Sequence, residues 1–209
     1  MKEGRFGQTG QRTRTNDRII KLGNSECLKF LASLDFYDFH TFECRNGYDL
    51  RVFCCEKYFP RFGDVKEGRS SPDAYTDIEK QLLLFFNRAV RAVPAELIYI
   101  FKYEKRWVIN PDLDSELKSV LDRMKITSNC NGIQCSKTHP IVTSFAKSCF
   151  RYNSFVQFVF PKAHLIITPT DHMDIFFSCD VESKAISLLN GMLKTQDFKH
   201  LEVEIVGGT

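Results

Sequence analysis

Asp171, His172 and Asp174 are the side chains best placed for chemistry, because they crowd into a short segment between two apolar stretches. A histidine flanked by carboxylates can act as a general base, since a carboxylate orients the ring and stabilises its charge. The same residues are typical of an ordinary turn, where Asp caps the chain and an exposed His is common. No nucleophile motif accompanies them, so the sequence favours a turn over a catalytic site.

A second cluster contains residues that can bind zinc: Cys130, Cys135, His139 and Cys149. A structural zinc site takes four sulfur or nitrogen ligands in a tetrahedron. The spacing C-x4-C-x3-H-x9-C is loose for the first pair, and its second half matches no standard ligand spacing. No glycine-rich phosphate loop follows a strand either. We therefore predict no bound metal and no cofactor, and keep zinc on these four residues as a minor alternative.

Basic residues concentrate at the N-terminus. Residues 1–21 contain six Lys or Arg against two acidic residues, and the remaining 188 residues contain 23 basic and 24 acidic ones. Such a polar segment cannot bury enough apolar surface to offset its chain entropy. We predict a flexible basic arm over residues 1–21 and a nearly neutral domain over residues 22–209. The arm could contact nucleic-acid phosphates, although it lacks the interleaved aromatics that bind single strands.

Composition excludes several classes of protein. The chain of 209 residues is 43% hydrophobic and 26% charged, as expected for a folded protein. No run approaches the roughly 18 apolar residues that span a bilayer, and residues 1–21 lack the apolar core of a secretory signal. Eight cysteines without a Cys-x-x-Cys pair indicate free thiols in a reducing compartment. These features predict a cytoplasmic protein with no membrane partner.

Helical periodicity predicts the helices that position the polar clusters. The best helix runs over residues 72–92, because Ser71 can cap it, Pro72 fits the first turn and apolar residues follow at helical spacing. Further helices are predicted to begin near Ser25, Asn110 and Asp180.

Apolar and alternating stretches predict the strands. Asn46-Gly47 favours a type I′ hairpin between HTFEC and YDLRVFCC, and residues 127–140 are predicted to be irregular. In LEVEIV, Glu202 and Glu204 alternate with apolar residues, as in a strand with one buried face. Short connections predict an antiparallel meander near the C-terminus. The predicted class is α+β: a largely antiparallel sheet packed with three or four helices in one domain. Other strand candidates are 96–103, 154–160, 164–168 and 173–178.

The stretch SFVQFVFPKAHLIITPTDHMDIFF (154–177) resembles a small bacterial domain of unknown function, number 3885. That family has an aliphatic strand, the segment Tyr-Asp-Asp-Arg-Gly, then Met or Cys, an acid and another aliphatic strand. The matching positions here are Ile166-Ile167, Thr170-Asp171-His172 and Met173-Asp174-Ile175; the family's Arg-Gly is absent, so no role tied to that Arg carries over. The order of LRVFCCEKYFPRFGD, the helix with Phe86-Asn87-Arg88-Ala89, and ELIYIFKY is also similar, which extends the resemblance over residues 48–195.

The family is associated with immunity proteins of polymorphic toxins, so the resemblance implies protein recognition rather than catalysis. Such a protein would bind a cognate toxin domain in a bacterial cytoplasm and occlude its active site, with an acidic face accelerating encounter with a basic toxin. Two alternatives stay open: a metal- or His/Asp-dependent enzyme acting on nucleic acid or a small molecule, and a nucleic-acid-binding module that uses the arm. The candidate contacts are Asp171, His172, Asp174, Asp180, Glu202 and Glu204.

Overall fold

The part of the chain that the structure describes contains ten strands and six α-helices. The computed structural model describes residues 18–38, 43–45, 47–54, 61–102, 115–127, 130–152, 156–180, 185–198 and 200–208. The helices are α1 (Asn24–Ala32), α2 (Phe62–Lys66), α3 (Pro72–Ala92), α4 (Ser115–Arg123), α5 (Pro140–Tyr152) and α6 (Ala185–Leu193). The strands are β1 (Ile20–Leu22), β2 (Tyr37–Asp38), β3 (Glu43–Cys44), β4 (Gly47–Cys54), β5 (Leu97–Lys102), β6 (Gly132–Ser136), β7 (Val156–Phe160), β8 (Leu165–Thr170), β9 (Asp174–Asp180) and β10 (Leu201–Gly208).

Eight of the strands form one antiparallel sheet in the order β1-β6-β5-β7-β8-β9-β4-β10, and β2 pairs with β3 separately. The predicted α+β class is therefore confirmed. So is the C-terminal meander, because β7, β8 and β9 are consecutive both in the chain and in the sheet. Strand β5 lies inside the sheet between β6 and β7, which explains its nearly continuous apolar sequence.

One face of the sheet packs against helices and holds the main core. Helix α3 begins as predicted, with Ser71 at its N-cap position and Pro72 in its first turn. Its apolar side chains recur every three or four residues, so a single stripe of the helix is buried. Phe85 meets Phe177 of β9 edge-on, with ring centroids 6.1 Å apart, and Phe86 meets Phe158 of β7 at 4.9 Å. These contacts anchor α3 across the centre of the sheet.

The opposite face is partly covered by α1 and by the residues that follow it. Cys27 and Phe36 are buried there against Phe101, Val159 and Ile166, which point away from the main core because side chains alternate along a strand. This smaller core covers β5, β7 and β8. The other half of this face, on β9, β4 and β10, carries the polar residues described below.

The hairpin predicted at Asn46-Gly47 does not form. Strand β4 pairs with β9 and β10, whereas β3 pairs with β2. Gly47 matters for a different reason, because a Cβ added to it would lie 2.1 Å from the carbonyl oxygen of Cys179 on β9. The residue allows two backbones to approach closely, and long-range pairing overrides the local turn signal.

The region predicted to be irregular contains both a strand and the start of a helix. Residues Gly132–Ser136 form β6, and α5 begins at Pro140 and was not predicted. Ile141, Phe145 and Cys149 are buried at helical spacing. The sequence therefore contains an apolar helical pattern directly after Pro140, a residue type that suits the first turn of a helix. The described helices number six rather than three or four, because the short α2 was also missed.

Several predicted boundaries shift. Helix α1 begins at Asn24, with Gly23 rather than Ser25 at the N-cap position, and the backbone N–H of Gly23 donates to Glu26 Oε2 at 2.8 Å. Ile20 and Lys21, assigned to the arm from sequence, lie in β1. Residues 1–17 of the predicted arm lie outside the described residues, as do residues 103–114, where the start of the helix that contains α4 was expected.

Candidate functional site

The side of β9, β4 and β10 that faces away from the helices carries four of the candidate acidic residues. Directly opposed residues of antiparallel strands project from the same face, so the pairing register identifies its rows. One row joins Glu202 to Phe53 and Asp174, and the next joins Glu204 to Arg51 and Phe176. We define the acidic face as the side of β4, β9 and β10 that points away from the main core. Its charged residues are Asp49, Arg51, Asp174, Asp180, Glu202 and Glu204.

Arg51 is the centre of this face. Its Nε donates to Asp174 Oδ2 at 2.6 Å, and one of its terminal nitrogens donates to Glu204 Oε1 at 2.9 Å. The other oxygen of Asp174 accepts a hydrogen bond from the hydroxyl of Thr170. The carboxylate of Asp174 is buried, with 3% of its side chain exposed, whereas 41% of the Glu204 side chain is exposed. Arg51 therefore links a buried acid to an exposed one.

The contacts of Arg51 favour its charged form. Burial by itself lowers the pKa of the guanidinium, but hydrogen bonds to Glu204 and Asp174 outweigh burial and raise the pKa above its ordinary value. The guanidinium carbon also lies 5.2 Å from the ring centroid of Phe53. The hydrogen bonds that Arg51 donates to two carboxylates, together with its aromatic neighbour, fix the position of the guanidinium.

The turn between β8 and β9 places Asp171 and His172 at one end of the acidic face. A guanidinium nitrogen of Arg61 lies 2.8 Å from His172 Nδ1, and His172 Nε2 lies 3.8 Å from Asp171 Oδ1. The backbone N–H of His172 donates to the Thr170 hydroxyl at 3.1 Å. Met173 completes the turn with a positive φ of 58°.

This arrangement does not favour base catalysis by His172. An arginine has donors but no acceptor, so Nδ1 of the imidazole must accept the hydrogen bond from Arg61. The ring proton then lies on Nε2, and no lone pair is left for a substrate. Among the described residues, the ring forms no hydrogen bond to a hydroxyl or thiol that it could activate. Residues 171–173 form a turn, as the sequence predicted.

Asp180 is separated from the other candidates. It closes β9 at the end opposite to Asp174, roughly 20 Å away at about 3.3 Å per residue. Its Oδ2 lies 3.2 Å from Nδ1 of His164, whose ring stacks on Phe36 of the smaller core at 5.1 Å. Asp180 was predicted to cap α6; it ends a strand instead, and residues 181–184 lie outside the described part of the chain.

The zinc candidates are not assembled into a site. In the described part of the chain, no three His, Cys, Asp or Glu side chains come together as metal ligands would. Cys130 Sγ lies 3.1 Å from the carbonyl oxygen of Gly132, and His139 Nδ1 accepts from the backbone N–H of Ile141 at 3.1 Å. Burial raises the pKa of the Cys135 and Cys149 thiols to about 12, which favours the protonated sulfur over the thiolate that binds metals.

Sequence reasoning found four of the five acids of this face, missing Asp49, and it also missed the arginine and the aromatic residues. Arg51, Phe53 and Phe176 were not singled out, although the alternation of Asp49 and Arg51 with Leu50 and Val52 in β4 was a signal for a polar face. The two aromatic side chains are half-buried: Phe176 lies in the Arg51 row and Phe53 in the row next to it. They give the acidic face an apolar surface between its charges.

Comparisons of the chain with family models, with curated proteins and with solved structures give no match. The resemblance to the domain of unknown function therefore stays a prediction from the residues that carry it. None of the helices in the described ranges has the length and apolarity that crossing a membrane requires.

Proposed function

We propose that this protein recognises a basic protein partner through the acidic face, as a cytoplasmic immunity protein that occludes the active site of a cognate toxin domain. The charge of the face supports this proposal. Strands β4, β9 and β10 carry five acidic residues and a single basic one, Arg51. A face of one sign accelerates encounter with a partner of the opposite sign.

The acids of this face have different roles. Glu202 and Glu204 retain exposed surface on the edge strand, so they are available to a partner's lysine or arginine. Asp174 is buried and hydrogen-bonded, so it acts as a positioning residue that orients Arg51 rather than as a contact. Charge on the rim sets the association rate, while desolvated anchors supply most of the binding energy.

The anchors proposed here are Phe53 and Phe176. Aromatic side chains are enriched among the few residues that dominate binding energy, and both lie half-buried within the charged rows. Arg51, another residue type common at such sites, is next to both: its guanidinium lies 5.2 Å from the Phe53 ring centroid, and Phe176 is opposite it on β9. A partner that covers this group buries apolar rings at its centre and pairs charges at its rim.

The experiment uses the full chain and the toxin-like domain encoded beside its gene. We expect a tight complex, measured by surface-immobilised binding kinetics, and loss of toxicity when the two are co-expressed. The variant E202Q/E204Q removes two acids from the face, and D77N/D122N removes two exposed acids from α3 and α4 as a matched control. We expect the first variant to slow association about tenfold at low salt, and the control to leave the rate unchanged.

Two results would overturn the proposal. One is the absence of any complex between the wild-type chain and the neighbouring toxin-like domain. The other is an equal loss of association rate in E202Q/E204Q and in D77N/D122N, because that would assign binding to net charge rather than to the acidic face.

A further inference from the structure

We propose that the outer edge of β10 binds an extended segment of the partner as a ninth strand of the sheet, and that this segment alternates basic and apolar residues. This inference rests on the proposed function and specifies its binding mode.

Strand β10 is a long and accessible edge. It pairs with β4 along Leu201–Gly208, and of the strands that the structure describes none pairs with its other side. A strand edge exposes a row of backbone donors and acceptors that can pair with another chain. Ile205 is 68% exposed and Val206 49% exposed, although the sequence predicted Ile205 to be buried. The edge therefore joins unpaired backbone to exposed apolar side chains.

The opposite edge of the sheet is much shorter. Strand β1 has three residues, against eight in β10, and its pairing with β6 covers Ile20–Leu22. Three residues offer too short a ladder to hold a peptide by strand addition. The two ends of the sheet are thus unequal, and β10 is the one suited to a partner strand.

The two faces of β10 dictate the sequence of such a strand. Glu202 and Glu204 project onto the acidic face, whereas Leu201 and Val203 point towards the main core. Residues that oppose each other across an added strand share a face, so the residues opposite the glutamates meet carboxylates. The residues between them meet the apolar side, which ends in Ile205. Lys or Arg at alternate positions, with aliphatic residues between them, satisfies both faces.

A second copy of this chain does not fit the same edge. Antiparallel self-pairing centred on Glu202, Val203 or Glu204 places at least one glutamate opposite a glutamate, and like charges directly opposed destabilise a strand pair. The bulge between Ile205 and Gly207 further interrupts a regular self-ladder. The charge that discourages self-association is the charge that selects a basic strand.

The test uses labelled eight-residue peptides and the full chain, with binding followed by fluorescence anisotropy. The probe alternates Lys and Val, and the control alternates Glu and Val. Two further probes carry N-methyl groups, on the Lys amides in one and on the Val amides in the other. Amides of alternate residues point to the same edge of a strand, so one methylated set faces β10 and the other faces solvent.

We expect the Lys-Val peptide to bind at least tenfold more tightly than the Glu-Val peptide, and one of the two N-methylated peptides to bind at least tenfold more weakly than the other. Amide hydrogen exchange in β10 should slow when the Lys-Val peptide is bound. The inference is overturned by equal affinities of the two N-methylated peptides, by equal affinities of the Lys and Glu peptides, or by no binding.

The failure of this inference can be separated from failure of the proposed function. If the toxin-like domain binds in a manner sensitive to E202Q/E204Q but leaves amide exchange in β10 unchanged, the acidic face stands and strand addition is wrong. If the peptides behave as expected and the toxin-like domain does not bind, β10 is a site for a basic strand and the identity of the partner is wrong.

Discussion

Each side of the sheet buries one carboxylate against an arginine, and the two pairs differ in where the arginine leads. On the helical side, Glu79 of α3 accepts from Arg151 of α5 through both oxygens, at 2.5 and 2.6 Å. On the acidic face, Asp174 accepts from Arg51 through one oxygen at 2.6 Å, and Arg51 continues to the exposed Glu204. The buried carboxylates are equally inaccessible, with 4% and 3% of their side chains exposed.

The Glu79–Arg151 pair joins two helices, whereas the Asp174–Arg51 pair connects the interior to the surface. The ring centroid of Phe62 lies 5.5 Å from the guanidinium carbon of Arg151, and the hydroxyl of Tyr75 lies 3.4 Å from Glu79. Phe62 belongs to α2 and Tyr75 to α3, so these contacts lie within the helical layer. Arg51 instead ends on an edge strand, where a partner can compete for Glu204. Similar burial of two carboxylates thus predicts different consequences when each arginine is removed.

The largest effect is expected for R151M. Among the described residues, the substitution leaves Glu79 with the long contact to Tyr75, and removing one partner of a buried ion pair costs about 3–5 kcal/mol of unfolding free energy. Chemical denaturation should show this loss, while affinity for the toxin-like domain should not change once the folded fraction is accounted for. The double variant E79M/R151M removes both charges and should recover most of the loss. A stable R151M protein would contradict the structural role of this pair.

A smaller loss of stability, joined to a loss of binding, is expected for R51M. Asp174 loses one charge-assisted hydrogen bond but keeps the hydroxyl of Thr170, so we expect a cost of about 2–3 kcal/mol. Because Arg51 also holds Glu204 and lies beside the proposed anchors, affinity for the partner should fall as well. Denaturation and binding kinetics on the same preparation test both effects. If R51M binds as the wild type does, Arg51 is structural and the comparison between the two pairs fails.

A change in binding with little change in stability is expected for E204Q. Glu204 is partly exposed, and exposed ion pairs contribute about 0–1 kcal/mol to stability. The association rate with the partner should fall and become less dependent on salt, because one attractive charge is lost from the rim. D122N on α4 is the matched control. If E204Q lost as much stability as R51M, the surface glutamate rather than Asp174 would be the residue that stabilises the arginine.

The sequence predicted those parts of the fold that local patterns encode. Helix α3 was predicted from Pro72 and its apolar stripe, and the β7-β8-β9 meander from closely spaced apolar runs. The Asn46-Gly47 signal misled because β4 pairs with strands more than a hundred residues away, and no local pattern encodes that pairing.

The same limit applies to the candidate site. The alternation of Glu202 and Glu204 showed that both share a face, as the register confirms. Their proximity to Arg51, 153 positions from Glu204 in the chain, follows only from the order of the strands. Composition could show an acid in each segment but not which acid would be buried. Asp174 and Glu204 therefore looked alike in the sequence and have opposite environments in the fold.

The smallest effect is expected for an acid–arginine pair whose arginine is largely exposed, with 60% of the Arg69 side chain accessible. Asp64 accepts from Arg69 at 2.7 Å and from the backbone N–H of Arg61 at 3.0 Å, and these hydrogen bonds lower the pKa of its carboxyl. A carboxyl whose pKa is lowered by folding contributes stability above its ordinary pKa of about 4, and the contribution is lost as pH falls through the folded-state value. D64N should therefore match the wild type in strong acid and be slightly less stable near neutral pH. Urea midpoints measured across that range test the sign. If D64N lost as much stability at neutral pH as R51M, burial would not determine how much each pair contributes to stability.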